Sequence, residues 1–185
     1  MSTRSGAASL ALVLVLAGPP PSAAQDEAGS AAALAAALSP DSRVRAVDPA
    51  ARRVLEAAVA CSPTVARMVV ALQSGDLVIG IETRPMPKKL LGEIRIVAAT
   101  DRVRYARIGL RVPAGFPELV SVLGHELHHA MELAAAPGVR DLASQRAHYL
   151  AAGYAKLQGG YFETEGALEA GRRVASEIKG CAALR

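Results

Sequence analysis

Hydrophobic positions along the chain change period twice, from helical spacing to alternation and back to helical spacing. The segment "ARRVLEAAVA" (51–60) reads as a helix, and "SPTVARMVVALQSGD" opens a second one. Ser62 is placed to cap that second helix, Pro63 suits its first position, and Gly75 is placed to stop it. Three short β-branched runs follow: "LVIGIE" (77–82), "EIRIVA" (93–98) and "YARIGLRV" (105–112). The last alternates, with Ala106, Ile108, Leu110 and Val112 on one face and Tyr105, Arg107 and Arg111 on the other. That is a strand with one wet face, and its expected partner is "EIRIVA", joined by a turn near Thr100-Asp101. Helical spacing then returns over 117–136, 141–157 and 164–179, punctuated by Pro137-Gly138, Gly159-Gly160 and Gly180. Strands first and helices afterwards predict an α+β domain with a small antiparallel sheet over residues 51–185.

The ends of the chain change this picture in two ways. Residues 1–24 read as an export signal: Arg4 precedes the apolar run "GAASLALVLVLAG", and "PPPSAAQ" ends in small residues that suit cleavage after Ala24. The run falls short of the roughly 20 apolar residues a stable span needs, although an uncleaved anchor is the alternative. Residues 25–50 mix helix-prone alanines with breakers and read as a flexible leader holding one or two helical turns. The residue directly after the cut is Gln25 and not a cysteine, so no lipid anchor is expected there, and the two cysteines, Cys61 and Cys181, are expected to pair in an exported protein. Two separately buried thiols are the other reading. These features imply a secreted or periplasmic protein without a membrane span once the signal is removed.

Charge and composition narrow the partners. Removing Arg4 with the signal takes the formal net charge from +4 to +3, and aromatic residues make up only 3% of the chain. So weak a charge with so few stacking surfaces argues against nucleic acid as a partner.

The candidate chemistry sits in "GHELHHAMEL" (124–133). On a helical wheel Leu119, Leu123, Leu127, Ala130, Met131 and Ala134 gather on one side. His125 and His129 lie opposite, one turn apart. Imidazoles at i and i+4 can converge on one zinc ion, binding it without cancelling its charge. Glu126 flanks the pair, where a carboxylate can serve a metal-bound water as general base. His128 points away and is expected to line the site or lie exposed. Glu132 returns to the histidine face, either as a solvated acid or as a partner for the free N–H of His129. A polar patch on a surface helix, with no metal, is the bland alternative.

The run His125-Glu126-Leu127-His128-His129 is the HExxH arrangement and resembles the zincin metallopeptidases. Zinc needs a third protein ligand. The metzincin extension is ruled out, because its positions hold Glu132 and Ala135. The gluzincin branch takes a glutamate from a later helix, and "YFETEGALEAGRRVASEIKG" (161–180) offers one. There Ala167, Leu168, Gly171, Val174, Ala175 and Ile178 make the inward arc. Extending the wheel backwards places Glu163 on that arc, with Thr164 as cap, Glu165 as the second candidate and His148 as a third. Gly166 and Gly171 would let this helix approach the motif helix closely. The resemblance further implies an edge strand that pairs with an extended peptide, a part assigned to "YARIGLRV". It leaves Tyr149, Tyr154 and Tyr161 as candidate donors to an oxyanion. The same segments are similar to small exported bacterial proteins regarded as metallopeptidases. The function implied is zinc-dependent hydrolysis of a peptide or protein substrate. A non-catalytic, zinc-stabilised binding protein of the cell envelope is the alternative.

Overall fold

The computed structural model describes residues 34–36, 39–152, 155–156 and 162–184. The expected signal at 1–24 and the first part of the expected leader lie outside them. In chain order the main elements are β1 (Val44–Ala46), α1 (Pro49–Cys61), α2 (Pro63–Ala71), β2 (Leu77–Arg84), β3 (Gly92–Ala99) and β4 (Arg104–Arg111). They are followed by α3 (Phe116–Ala134), α4 (Leu142–Ala151), β5 (Ala155–Lys156), β6 (Phe162–Glu163) and α5 (Glu165–Glu177).

The fold is α+β, as the order of the sequence patterns implies, but the sheet is mixed rather than antiparallel. Its strand order is β1-β2-β4-β3. β3 and β4 pair antiparallel around the Thr100 turn, whereas β1–β2 and β2–β4 are parallel. Parallel neighbours need a long crossover, and α1 and α2 supply it between β1 and β2. The segments of β2, β3 and β4 were legible, whereas β1 lay in the expected leader; the strand order was not legible, because alternation marks a face and not a neighbour.

This order overturns one expectation about function. The strand "YARIGLRV" lies between β2 and β3, so both its ladders are occupied. The edge strand beside the motif helix is β3.

The leader also departs from expectation. From Ser42 onward the chain is built into the fold, with Ser42 and Val44 buried and β1 in register with Ile79–Ile81. Asp48 ties this segment down. Its carboxylate accepts from the backbone N–H of Ala50 and Ala51, capping α1, and from the N–H and hydroxyl of Thr83 on β2.

All the helices that build the core cover one face of the sheet. Ile79, Ile81, Ile96, Ala106, Ile108 and Leu110 point into it and meet Val54, Leu55, Val65, Val69, Leu123 and Leu127. The other face is wet and laced with ion pairs such as Arg107–Glu82 and Arg95–Glu93. Ser62 accepts from Val65 N–H as the N-cap of α2, with Pro63 at its first position. That helix stops at Ala71, and Gly75 takes the left-handed conformation (φ 109°) in the turn that enters β2. Glu177 of α5 reaches the same cap, accepting from Ser62 Oγ and from the N–H and Oγ1 of Thr64. Cys61 and Cys181 form a disulfide, so the end of α1 is tied to the chain just beyond α5.

The helix expected over 141–157 ends at Ala151. Beyond it Ala155 pairs with Glu163 and Lys156 with Phe162, so extended backbone delivers the chain to α5.

Candidate metal centre

Helix α3 carries the motif and is buried on almost every side. Leu119, Leu123, Leu127 and Ala130 face the sheet as the wheel predicts, but Val120, Gly124 and Leu133 are buried too. The additional cover comes from α5. A Cβ on Gly124 would lie 2.5 Å from Val174 Cγ2, and one on Gly166 would lie 2.3 Å from His128 Nε2. The predicted close approach therefore depends on Gly166 and also on Gly124, while Gly171 meets His125 only at ordinary contact distance. Leu168 is turned outward, so the inward arc of α5 runs through Ala167, Ala170, Val174 and Ile178.

One residue fixes the C-terminal end of α3 against the sheet. Arg104, at the start of β4, is fully buried and pairs with both Asp76 carboxylate oxygens at 2.7 Å. Its remaining guanidinium nitrogen donates to the carbonyls of Leu133, Ala136 and Val139 at 2.9–3.1 Å. The guanidinium thus adds a charged donor to carbonyls at and just beyond the end of α3, placing a cation at the negative end of the helix dipole.

The two motif histidines converge as their spacing requires, with ring centroids 4.9 Å apart. Glu163 completes a group that could hold a metal ion: one ligand atom from each of His125, His129 and Glu163 lies within 4.8 Å of the others. Glu163 Oε1 is 3.1 Å from His125 Nε2 and 3.6 Å from His129 Nε2. Ligand atoms around a tetrahedral ion at 2.0–2.1 Å stand roughly 3.3 Å apart, so these separations fit one. Glu163 Oε1 is also buried without a well-aligned hydrogen-bond donor, which is what a metal-facing oxygen needs.

Of the candidates for third ligand, Glu163 is the one brought in. Glu165 is exposed and pairs with Arg172 at 2.7 Å, and His148 lies outside the group. Glu163 does not sit on a helix, however. It belongs to the two-residue strand β6, and Thr164 separates it from α5 as the N-cap. The glutamate-bearing helix expected from the gluzincin resemblance is thus a glutamate-bearing strand end.

Around the three candidate ligands, the orientation of His129 is fixed by a chain of bonds. Its Nδ1 lies 2.7 Å from Glu132 Oε2, and the hydroxyl of Thr164 donates to Glu132 Oε1 at 2.7 Å. Glu132 is therefore a positioning acid rather than a solvated one, and it leaves Nε2 of His129 turned to the site. Thr164 was legible only as a helix cap. Its second bond needs α3 and α5 in contact, and nothing local signals it. His128 stays outside the group, its Nε2 3.6 Å from Glu132 Oε1.

The electrostatics follow from burial and close carboxylates. Glu126 is 5% exposed, and burial pushes its pKa up to about 7 although His125 and His129 oppose the shift. Burial lowers the pKa of His129, but the carboxylates of Glu132, Glu163 and Glu126 outweigh it and raise it to about 9. Burial works the other way on Glu163, and the close imidazoles of His125 and His129 overcome it, holding the carboxyl at about 2. A site whose acids draw positive charge this strongly suits a divalent cation, which would compete with protons for the imidazoles.

The group opens on a cleft of about 280 Å³ between α3, α4 and the edge of β3. Gly92, Ile94, Gln145, Tyr149 and Phe162 line it beside His125, Glu126, His129 and Glu163. Of the tyrosine candidates, Tyr149 is present in the cleft, buried, stacked on Phe162 and edge-on to His129 at 5.9 Å. Tyr154 and Tyr161 lie outside the described residues. Among the described residues no single helix is long and apolar enough to cross a membrane. Comparison of the chain with family models, with curated proteins and with solved structures finds no match, so its chemistry is read from the site's own geometry.

Proposed function

We propose that this protein is a zinc-dependent metallopeptidase that hydrolyses peptide bonds outside the cytoplasm. One observation carries the reading: two histidines and a glutamate from separate elements converge beside a buried carboxylate, in a cleft bordered by an open strand edge. His125, His129 and Glu163 would hold the ion, and three protein ligands leave a fourth position for water or substrate, as catalytic zinc sites do. Bound zinc lowers the pKa of water towards neutrality and polarises a carbonyl.

Every other part of the reaction belongs to the chain. Glu126, buried beside both histidines, would take the proton of the attacking water and return it to the leaving amine. Glu132 and Thr164 hold His129 in the tautomer that presents Nε2. Tyr149 stands at the cleft wall next to His129, within the region where a donor to the developing oxyanion is needed.

The test is elemental analysis of the purified mature chain followed by digestion of a broad peptide library. Zinc near one equivalent and cleavage of defined bonds are expected. A Glu126→Gln variant should keep the metal and lose 10²–10⁴-fold in rate. The cleft lies just below the usual size of ligand sites, which favours a second reading: a non-catalytic, zinc-stabilised binding protein of the cell envelope. Metal content without cleavage, with Glu126→Gln behaving like the parent, decides for that reading.

A further inference from the structure

The edge of β3 is interrupted by a single side chain at Ile94 and Ile96. Gln145, on α4 and nearly buried, accepts from Ile96 N–H at 2.9 Å through Oε1. Its Nε2 donates to Ile94 C=O at 3.1 Å. The carboxamide thus occupies the donor and acceptor that a neighbouring strand would use there. Arg140, which precedes α4, donates to Thr100 C=O past the end of β3 and anchors the start of α4 beside it.

Alternation along the strand shows what remains open. Ile94 C=O and Ile96 N–H point away from β4 because Gln145 holds them, whereas Leu91 C=O points towards β4 and accepts from Arg111 N–H. The N–H of Ile94 and both backbone groups of Gly92 therefore point away from β4, and both residues line the cleft, Ile94 half-buried and Gly92 buried. Gly92 lies against the catalytic candidate itself: a Cβ there would fall 2.6 Å from Glu126 Oε1. An extended peptide added to this edge would gain backbone hydrogen bonds beside Glu126 and lose them at Gln145.

Resting on the peptidase reading above, we propose that Gln145 ends the substrate ladder and limits how many residues fit on the amino side of the scissile bond. The direction follows from antiparallel pairing, the more stable arrangement per residue, which runs the amino-terminal part of a substrate towards Ile96. The protein then acts near the amino ends of chains or on short peptides rather than within a continuous polypeptide. Gln145 is a specificity-determining residue in this scheme and takes no part in bond breaking.

The experiment uses the zinc-loaded mature chain and one cleaved heptapeptide from the library, extended by four alanines at either end. Amino-terminal extension should lower kcat/KM at the original bond at least tenfold, while carboxy-terminal extension changes it less than threefold. Gln145→Ala should shrink the amino-terminal penalty below threefold; Gln145→Leu, which keeps bulk but loses both bonds, serves if the first variant is unstable. Equal tolerance of both extensions, or a penalty confined to the carboxy-terminal one, overturns the proposal. A second readout separates its failure from that of the peptidase reading. Amide exchange in Glu126→Gln should show the heptapeptide slowing Gly92 and Ile94, with Ile96 already slow in the free protein and fast in Gln145→Ala. Absence of cleavage by the parent sinks the peptidase reading, and the ladder is then judged on exchange in the presence of the pooled library peptides: no slowing of Gly92 and Ile94 overturns it as well.

Discussion

At the scale of single residues, the candidate ligands are aimed by groups beside them. Glu132 lies one turn below His129, where its charge is disfavoured near the C-terminal end of the helix dipole, yet it bonds both His129 Nδ1 and the Thr164 hydroxyl. Replacing Glu132 with alanine should weaken zinc affinity by about 10–100-fold, measured by competition with a chelating dye, while the fold is kept. The wheel put Glu132 on the right face but could not choose between a solvated acid and a positioning one. That choice required Thr164 from another element.

At the scale of elements, α3 is a buried helix pinned at its far end by Arg104. Truncating Arg104 to alanine removes a charged donor from three carbonyls and both charged bonds from the Asp76 carboxylate. It should cost roughly 3–5 kcal/mol in denaturant unfolding. The same pair sets an acid limit. The hydrogen bonds from Arg104 hold the Asp76 carboxyl below its ordinary 3.8, burial opposing them more weakly. A depressed pKa in the folded state means the pair's contribution is complete above the unfolded value and is lost as pH falls through the folded one. Thermal unfolding from pH 6 to pH 2.5 should therefore bring the parent and Asp76→Asn together, their difference shrinking below about pH 4. The alternation of β4 is plain in its residues, whereas the role of Arg104 is not. Arg104 sits at the strand's first residue and satisfies carbonyls some thirty positions away.

At the scale of the whole molecule, the Cys61–Cys181 bond closes a loop of sequence separation 120. The chain-entropy model assigns such a loop about 4–5 kcal/mol. Reduction, or a Cys61→Ser/Cys181→Ser double variant, should lower stability by that order in urea unfolding. The bond also brackets α1, α2 and α5, and Glu177 joins the same three elements by capping α2. α5 is in this way held against α3, and with it the strand end that carries Glu163.

Much was decided locally. The helical spacing of His125 and His129, the flanking position of Glu126, the Ser62-Pro63 helix start and the alternation of β4 all follow from repeat geometry within a few residues. So does the exclusion of a metzincin ligand set. The tertiary structure decided what depends on neighbours distant in sequence: the mixed strand order, the interior place of β4, the extended rather than helical setting of Glu163, and the closing of β3 by Gln145. The physical reason is the same for each. Periodicity reports which way a side chain points from its own backbone, while pairing, capping and metal-ligand geometry are set by whichever element packs opposite.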